Sequence, residues 1–146
     1  AGDIFQLTPS ANPFDVVVSQ EVIAHVPDQL AYINRAANVL KPGGYLIITT
    51  PNKFVIDRAD VFPPQPHEHI EKWLTIRRLK NLLRSRFQVL RSTSILPMGN
   101  RGILRLANST KVNTVLTSFI SSRRIEKLKE QLGLGYTLIL LARKQS

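Results

Sequence analysis

Cysteine does not occur among the 146 residues, which excludes disulfides, thiolate catalysis and cysteine-based zinc sites. Long apolar runs are missing too. None approaches the roughly 18–20 residues of a membrane-spanning helix, and the longest, around Leu138–Ala142, is strand-sized. The first residues carry neither the basic segment nor the apolar core of a secretion signal, and the expected location is cytoplasmic. Position 1 is Ala rather than Met, so the chain is expected to begin inside a longer or processed protein. There is no internal repeat and no low-complexity segment. Acidic side chains are scarce, ten against twenty Lys and Arg, for a net charge of +10.

That charge is unevenly spread. Residues 1–60 hold four basic and six acidic side chains, whereas residues 61–146 hold sixteen basic and four acidic ones. A basic second half suits phosphorylated substrates, an anionic lipid surface or nucleic acid, set against the plainer reading of a solvated surface. Arg77, Arg78, Lys80, Arg84, Arg86, Arg91, Arg101 and Arg105 are the densest stretch. They lack the interleaved aromatics of a base-stacking platform, which disfavours nucleic acid and leaves a peripheral anionic surface open.

Hydrophobic patterning supplies the elements. Asp15–Ser19 is a β-branched run without alternation, as in a strand buried on both faces of a parallel sheet. Asp28 is a good N-cap for a helix carrying Leu30, Ile33, Ala37 and Leu40 at helical spacing. Lys41-Pro42-Gly43-Gly44 stops it, with a glycine available for the left-handed position after the helix. Tyr45–Thr50 is a second buried strand, closed by Pro51-Asn52, so residues 14–52 form a βαβ unit. Residues 53–74 have no period and are expected to be a long loop. Thr75 caps a helix with Ile76, Leu79, Leu82 and Leu83 on one face, and Phe87–Leu90 opens a strand extending toward Leu96. Val112, Val115, Leu116, Phe119 and Ile120 mark an amphipathic helix. A second short helix ends at Gly133, and Tyr136–Ala142 is the last strand. The order β-α-β-α-β-(αα)-β predicts an open α/β sheet with flanking helices. Ligands of such sheets sit beyond the carboxyl ends of the strands, here Ser19-Gln20-Glu21 and Thr50-Pro51-Asn52.

Taken in order, Ala1-Gly2-Asp3-Ile4, Phe14–Ser19, Val22–Val26, Val39–Ile47 and Thr50-Pro51-Asn52 closely resemble class I S-adenosylmethionine-dependent methyltransferases, nearest the small-molecule and ubiquinone-type branch. The match is strong over residues 1–52 and extends beyond them in element order. It implies a truncated Rossmann-like methyltransferase sheet, with strands four to seven of the family's seven and the last two antiparallel. Residues 1–146 would then be one partial domain, divided into a cofactor-side βαβ core (1–52), a substrate loop (53–74) and a basic half with a terminal β-hairpin (75–146). Strands one to three and their glycine-rich loop are expected upstream, since no G-x-G-x-x-G run occurs in the sequence.

The resemblance also implies roles. Asp3 accepts a hydrogen bond from the adenine amino group of S-adenosylmethionine, a task suited to an acceptor-only carboxylate, and the backbone of Ile4 meets the ring edge. Ser19, Gln20 and Glu21 line the methionine part of the cofactor. His25 is a candidate base, weighed against structural packing. The Glu-x-x-Glu-His pattern that holds a divalent cation in some relatives is broken by Ala24, so no metal is expected. His67, His69 and Trp73 fall on the substrate side. The expected reaction is methyl transfer to a small-molecule or lipid-linked acceptor, and the alternative is an inactive fragment or basic interaction module. An unpaired strand edge at Asp15–Ser19 is expected to support a homodimer.

Overall fold

The computed structural model describes residues 13–60 and 71–145. The first half follows the expected βαβ unit. β1 (Phe14–Gln20) leads through a 3-10 turn at Ile23–His25 into α1 (Gln29–Val39) and then β2 (Leu40–Pro51). Asp28 caps α1, its carboxylate accepting from the Ala31 N–H at 2.9 Å. The two strands are parallel, with Val16 opposite Tyr45 and Gln20 opposite Thr49.

Two details at the helix end differ from expectation. Leu40, expected to be helical, is an extended C-cap that opens β2. Gly43 is not the residue after the helix. It takes φ +74° within the Lys41–Gly44 turn, where the register slips between the Phe14–Leu40 and Val16–Tyr45 pairs. Glycine is needed there because the extra residues on β2 must be folded into a left-handed kink.

The stretch expected to be an unbroken loop begins with a short helix, α2 (Lys53–Ile56), capped by Asn52. After residue 70 the chain continues through α3 (Ile76–Leu83), β3 (Phe87–Pro97), α4 (Gly102–Ala107), α5 (Thr110–Thr117), α6 (Ser122–Gln131) and β4 (Gly135–Lys144). Thr75 caps α3 as expected, its hydroxyl accepting from the Arg78 N–H.

The strand order is β1-β2-β4-β3. β4 lies between β2 and β3 and runs antiparallel to both. β3 and β4 are therefore the antiparallel pair expected, joined by three helices, α4, α5 and α6, where two were expected. A further consequence is that β1, β2 and β3 all point the same way. Their carboxyl ends, the amino end of β4 and the α4–α6 segment share one edge of the sheet.

One sheet face is sealed. Leu46, Ile48, Leu138 and Leu140 pack there beneath Ile33 of α1 and Leu79 of α3, all fully buried. Burial of each such side chain contributes roughly 1.5–3 kcal/mol. Contrary to the expectation of a first strand buried on both faces, the opposite face of β1 and β2 is open among the described residues: Val16, Val18 and Tyr45 are exposed. The sealed face holds one imperfection. Thr50 is completely buried, yet its hydroxyl finds no partner among the described residues. Replacing it with the isosteric valine should therefore stabilise the chain by about 1 kcal/mol, measured as a shift in the urea midpoint.

Candidate active site

At the carboxyl end of β1 the backbone turns sharply. Glu21 has φ +57°, a conformation that costs a non-glycine residue roughly 1–3 kcal/mol and survives only where its surroundings enforce it. The enforcement comes from Thr49 near the end of β2. The Glu21 N–H donates to the Thr49 carbonyl and to its hydroxyl, both at 3.2 Å. That hydroxyl in turn donates to Glu21 Oε1 at 2.8 Å. The ring pins the carboxylate over the junction of the two strands.

The phenol of Tyr136, at the start of β4, belongs to the same cluster. Burial raises its pKa above the ordinary value, and the nearby carboxylates of Glu21 and Glu71 raise it further, because each disfavours a phenolate beside it. Tyr32 is also raised, by burial, against a smaller opposing effect of its hydrogen bond to Ser19. A group whose pKa is higher folded than unfolded stabilises the fold below its unfolded pKa. That contribution is lost as pH climbs through the folded value. Stability should therefore fall above pH ~10, the ordinary phenol value. In a titration at 295 nm, Tyr136→Phe and Tyr32→Phe should each delete an ionisation lying above that pH; loss of a step at or below it would be the contrary result.

Asn52 closes the edge from beneath. It is 1% exposed, and its Nδ2 donates to the carbonyls of Gly133 and Gly135, both at 2.9 Å. Its Oδ1 accepts from the Phe54 N–H, and its own N–H donates to the Tyr136 carbonyl. One side chain thus caps α2 and ties the end of β2 to the start of β4. Farther along the edge, the Arg58 carbonyl accepts from the N–H groups of Asn100 and Arg101, and Asp60 pairs with Arg101. The residues after α2 are bound in this way to the entrance of α4.

The residues singled out from the sequence fall unevenly around this cluster. Glu21 is central and Gln20 is exposed beside it. Ser19 is buried, and its hydroxyl bonds the Tyr32 hydroxyl at 2.7 Å on the α1 side, so only its backbone faces the edge. His25 is exposed on the 3-10 turn. Trp73 is half-buried and lines a cavity of about 310 Å³ with Lys53, Glu71 and Arg78. Gln29 steadies that wall, its Nε2 donating to the carbonyls of Ile23 and Lys72. Asp3, Ile4, His67 and His69 lie outside the described residues. Among the described residues no three His, Asp or Glu side chains gather to hold a metal ion. Sequence reasoning missed Thr49, Glu71 and Tyr136. Tyr136 is 115 positions from Glu21 in the chain, and only the placement of β4 beside β2 brings the two together.

Known proteins place this architecture. A family model described as a methyltransferase domain matches residues 2–94, well over half of the chain. The chain belongs to the methyltransferase domain family. The matched stretch contains β1, α1, β2 and α3, with Glu21, Thr49 and Asn52, and bears out the class I S-adenosylmethionine-dependent resemblance. Ubiquinone biosynthesis O-methyltransferases of Parvibaculum lavamentivorans and Caulobacter vibrioides are 35% and 45% identical over 68 residues, 47% of this chain and 26% of each relative. The methyltransferase domain thus matches about a quarter of those relatives' length. In three dimensions it resembles a S-adenosylmethionine-dependent methyltransferase of Thermotoga maritima, with a TM-score of 0.64 and 19% identity, over 99% of this chain and 62% of that one. That likeness concerns the fold. No helix among the described residues of the methyltransferase domain is long and apolar enough to cross a membrane.

Proposed function

We propose that the protein transfers a methyl group from S-adenosylmethionine to a small-molecule or lipid-linked acceptor, at the edge where β1 and β2 end. The observation that carries this reading is Glu21, held at φ +57° with its carboxylate fixed by Thr49. Backbone strain enforced at a strand's carboxyl end, in an α/β sheet of this family, suits a ligand-binding turn.

The chemistry of the donor set fits one part of the cofactor. The cofactor, when bound, supplies an activated methyl group on a positively charged sulfur. Glu21 has a second carboxylate oxygen beyond the one held by Thr49, and the exposed edge of β1 at Ser19–Gln20 offers backbone acceptors. Both suit a cationic, amine-bearing segment. Asp3 and Ile4 remain the proposed adenine contacts. The Tyr136 phenol, protonated at neutral pH as any ordinary phenol is, donates a hydrogen bond toward an acceptor substrate, and His25 takes the proton that a hydroxyl or amine nucleophile must release. Trp73, with His67 and His69, forms the substrate side. Positioning of the nucleophile supplies most of the rate in such a reaction, which is why a tightly packed base is not required.

Titration calorimetry with S-adenosylhomocysteine tests the reading. Saturable binding is expected, weakened about tenfold by Glu21→Gln, the loss of roughly one charge-assisted contact. His25→Gln should bind as tightly as the unmodified chain, which separates a base from a cofactor ligand. Binding indifferent to Glu21 would sink the proposal. Self-association through Asp15–Ser19 is a second, structural reading, favoured by the exposure of Val16 and Val18 on a strand whose one described partner is β2. A monomer by light scattering at high concentration would rule it out.

A further inference from the structure

The α4–α6 segment is built inside out. On a helical projection of α5, Val112, Val115 and Leu116 fall within one arc of about 100°, and Phe119, expected to be helical, follows in the turn after the C-cap Ser118. An apolar stripe of this kind normally turns inward. Here Asn113 and Thr117 face α6 instead, lining a small cavity with Ile125 and Lys129, and Lys129 donates to Asn113 and Asn108. The polar side of α5 is the packed side. None of its residues is buried, and Val115 is 63% and Phe119 84% exposed. Leu106 of α4 and Leu128 of α6 are exposed as well. Exposed large apolar side chains concentrated in one segment of the chain mark an interaction surface.

Charge identifies what the surface meets. Residues 98–134 carry seven basic side chains and two acidic ones, Glu126 and Glu130. Lys111, Arg123, Arg124 and Lys127 are all exposed, and Arg123 and Arg124 follow within five positions of Phe119. An apolar ridge ending in an exposed phenylalanine and flanked by arginines and lysines has the chemistry of an interfacial segment. It presents apolar groups to acyl chains and cations to anionic headgroups. A protein partner could be met by the ridge alone, but it would not call for a rim with seven basic side chains against two acidic ones. We propose that α4–α6 docks the protein on an anionic lipid surface, with Val115 and Phe119 entering the interface and Arg123 and Arg124 contacting headgroups. The segment bridges β3 and β4 at the edge where the strands end. Docking would therefore set that edge against the bilayer. The inference stands whether or not methyl transfer occurs there.

Flotation of the full chain with vesicles tests it. Vesicles of equal parts phosphatidylglycerol and phosphatidylcholine should carry the protein upward, and pure phosphatidylcholine should not. The double substitution Val115→Ser/Phe119→Ser should lower partitioning at least about tenfold, since two exposed apolar side chains lose their burial. Arg123→Glu/Arg124→Glu should remove the preference for anionic vesicles, and raised salt should weaken binding of the unmodified chain. Far-UV circular dichroism checks that each variant is folded. As an independent reading, tryptophan emission from Phe119→Trp in a Trp73→Phe background should shift to the blue with anionic vesicles only. Equal partitioning of the serine variant, an unshifted emission, or no flotation of the unmodified chain overturns the proposal. So does a dimer in sedimentation velocity that Phe119→Ser dissolves without any vesicle binding, which would assign the ridge to a second copy.

Discussion

Asn52→Asp should destabilise the chain by about 3 kcal/mol or more, despite altering one atom. The carboxylate keeps the acceptor that caps Phe54, but it turns a second acceptor toward the Gly133 and Gly135 carbonyls, where the amide now donates twice at 2.9 Å. At 1% exposure water cannot relieve that repulsion, and an uncompensated buried charge costs more than the loss of its hydrogen bonds. Asn52→Ala leaves two carbonyls and an N–H without this partner and should cost about 2–4 kcal/mol. Urea unfolding with an unchanged slope would report both as losses of stability rather than of compactness. An Asp variant as stable as the unmodified chain would mean that Asn52 does not hold the sheet edge together.

Gly135→Ala should be of similar size for a different reason. A methyl group there would run into the backbone of Ile95 on the paired strand, with Ile95 N at 2.7 Å. Both sides of the clash are main chain, so neither yields cheaply. The residue is also locked by its N–H, which donates to the Ser94 hydroxyl at 2.8 Å, and Ser94 donates onward to the Glu130 carbonyl. Overpacking between two paired strands costs about 3 kcal/mol. Gly102→Ala provides the control. It meets nothing closer than Arg58 Nε at 4.0 Å, so only its positive φ is penalised, at about 1 kcal/mol. Thermal unfolding of the two variants should separate them clearly. Equal shifts would show that the Gly135–Ile95 contact is not the reason glycine occupies that position.

The sequence revealed most where local chemistry decides the structure. The Val16–Val18 run, the Asp28 and Thr75 caps and the Leu138–Leu140 strand each follow from side chains close together in the chain. The resemblance over residues 1–52 supplied what periodicity could not, the antiparallel pairing of the last two strands. Three features were not legible. α2 is four residues long, too short to display a period, and forms because Asn52 caps it. α4 begins after Arg101, which gives no side-chain cap, so nothing in the sequence announced it. The stripe of α5 was read correctly as amphipathic, but periodicity cannot say which face is packed, and here the polar one is. The site was half legible for a related reason. Glu21 follows directly from the end of β1, while Tyr136 and the carbonyls that Asn52 engages come from residues more than eighty positions away in the chain.

The strained turn at the end of β1, braced by Thr49 and close to Tyr136, is the proposed cofactor-binding site. Amide chemical-shift mapping of the chain during titration with S-adenosylhomocysteine tests it most directly. Saturable shifts centred on Ser19–Glu21, Thr49 and Tyr136 are expected. Saturable shifts confined elsewhere, for instance to the groove between α1 and α3 lined by Leu30, Arg78 and Leu82, would contradict it, as would a folded chain whose spectrum does not respond.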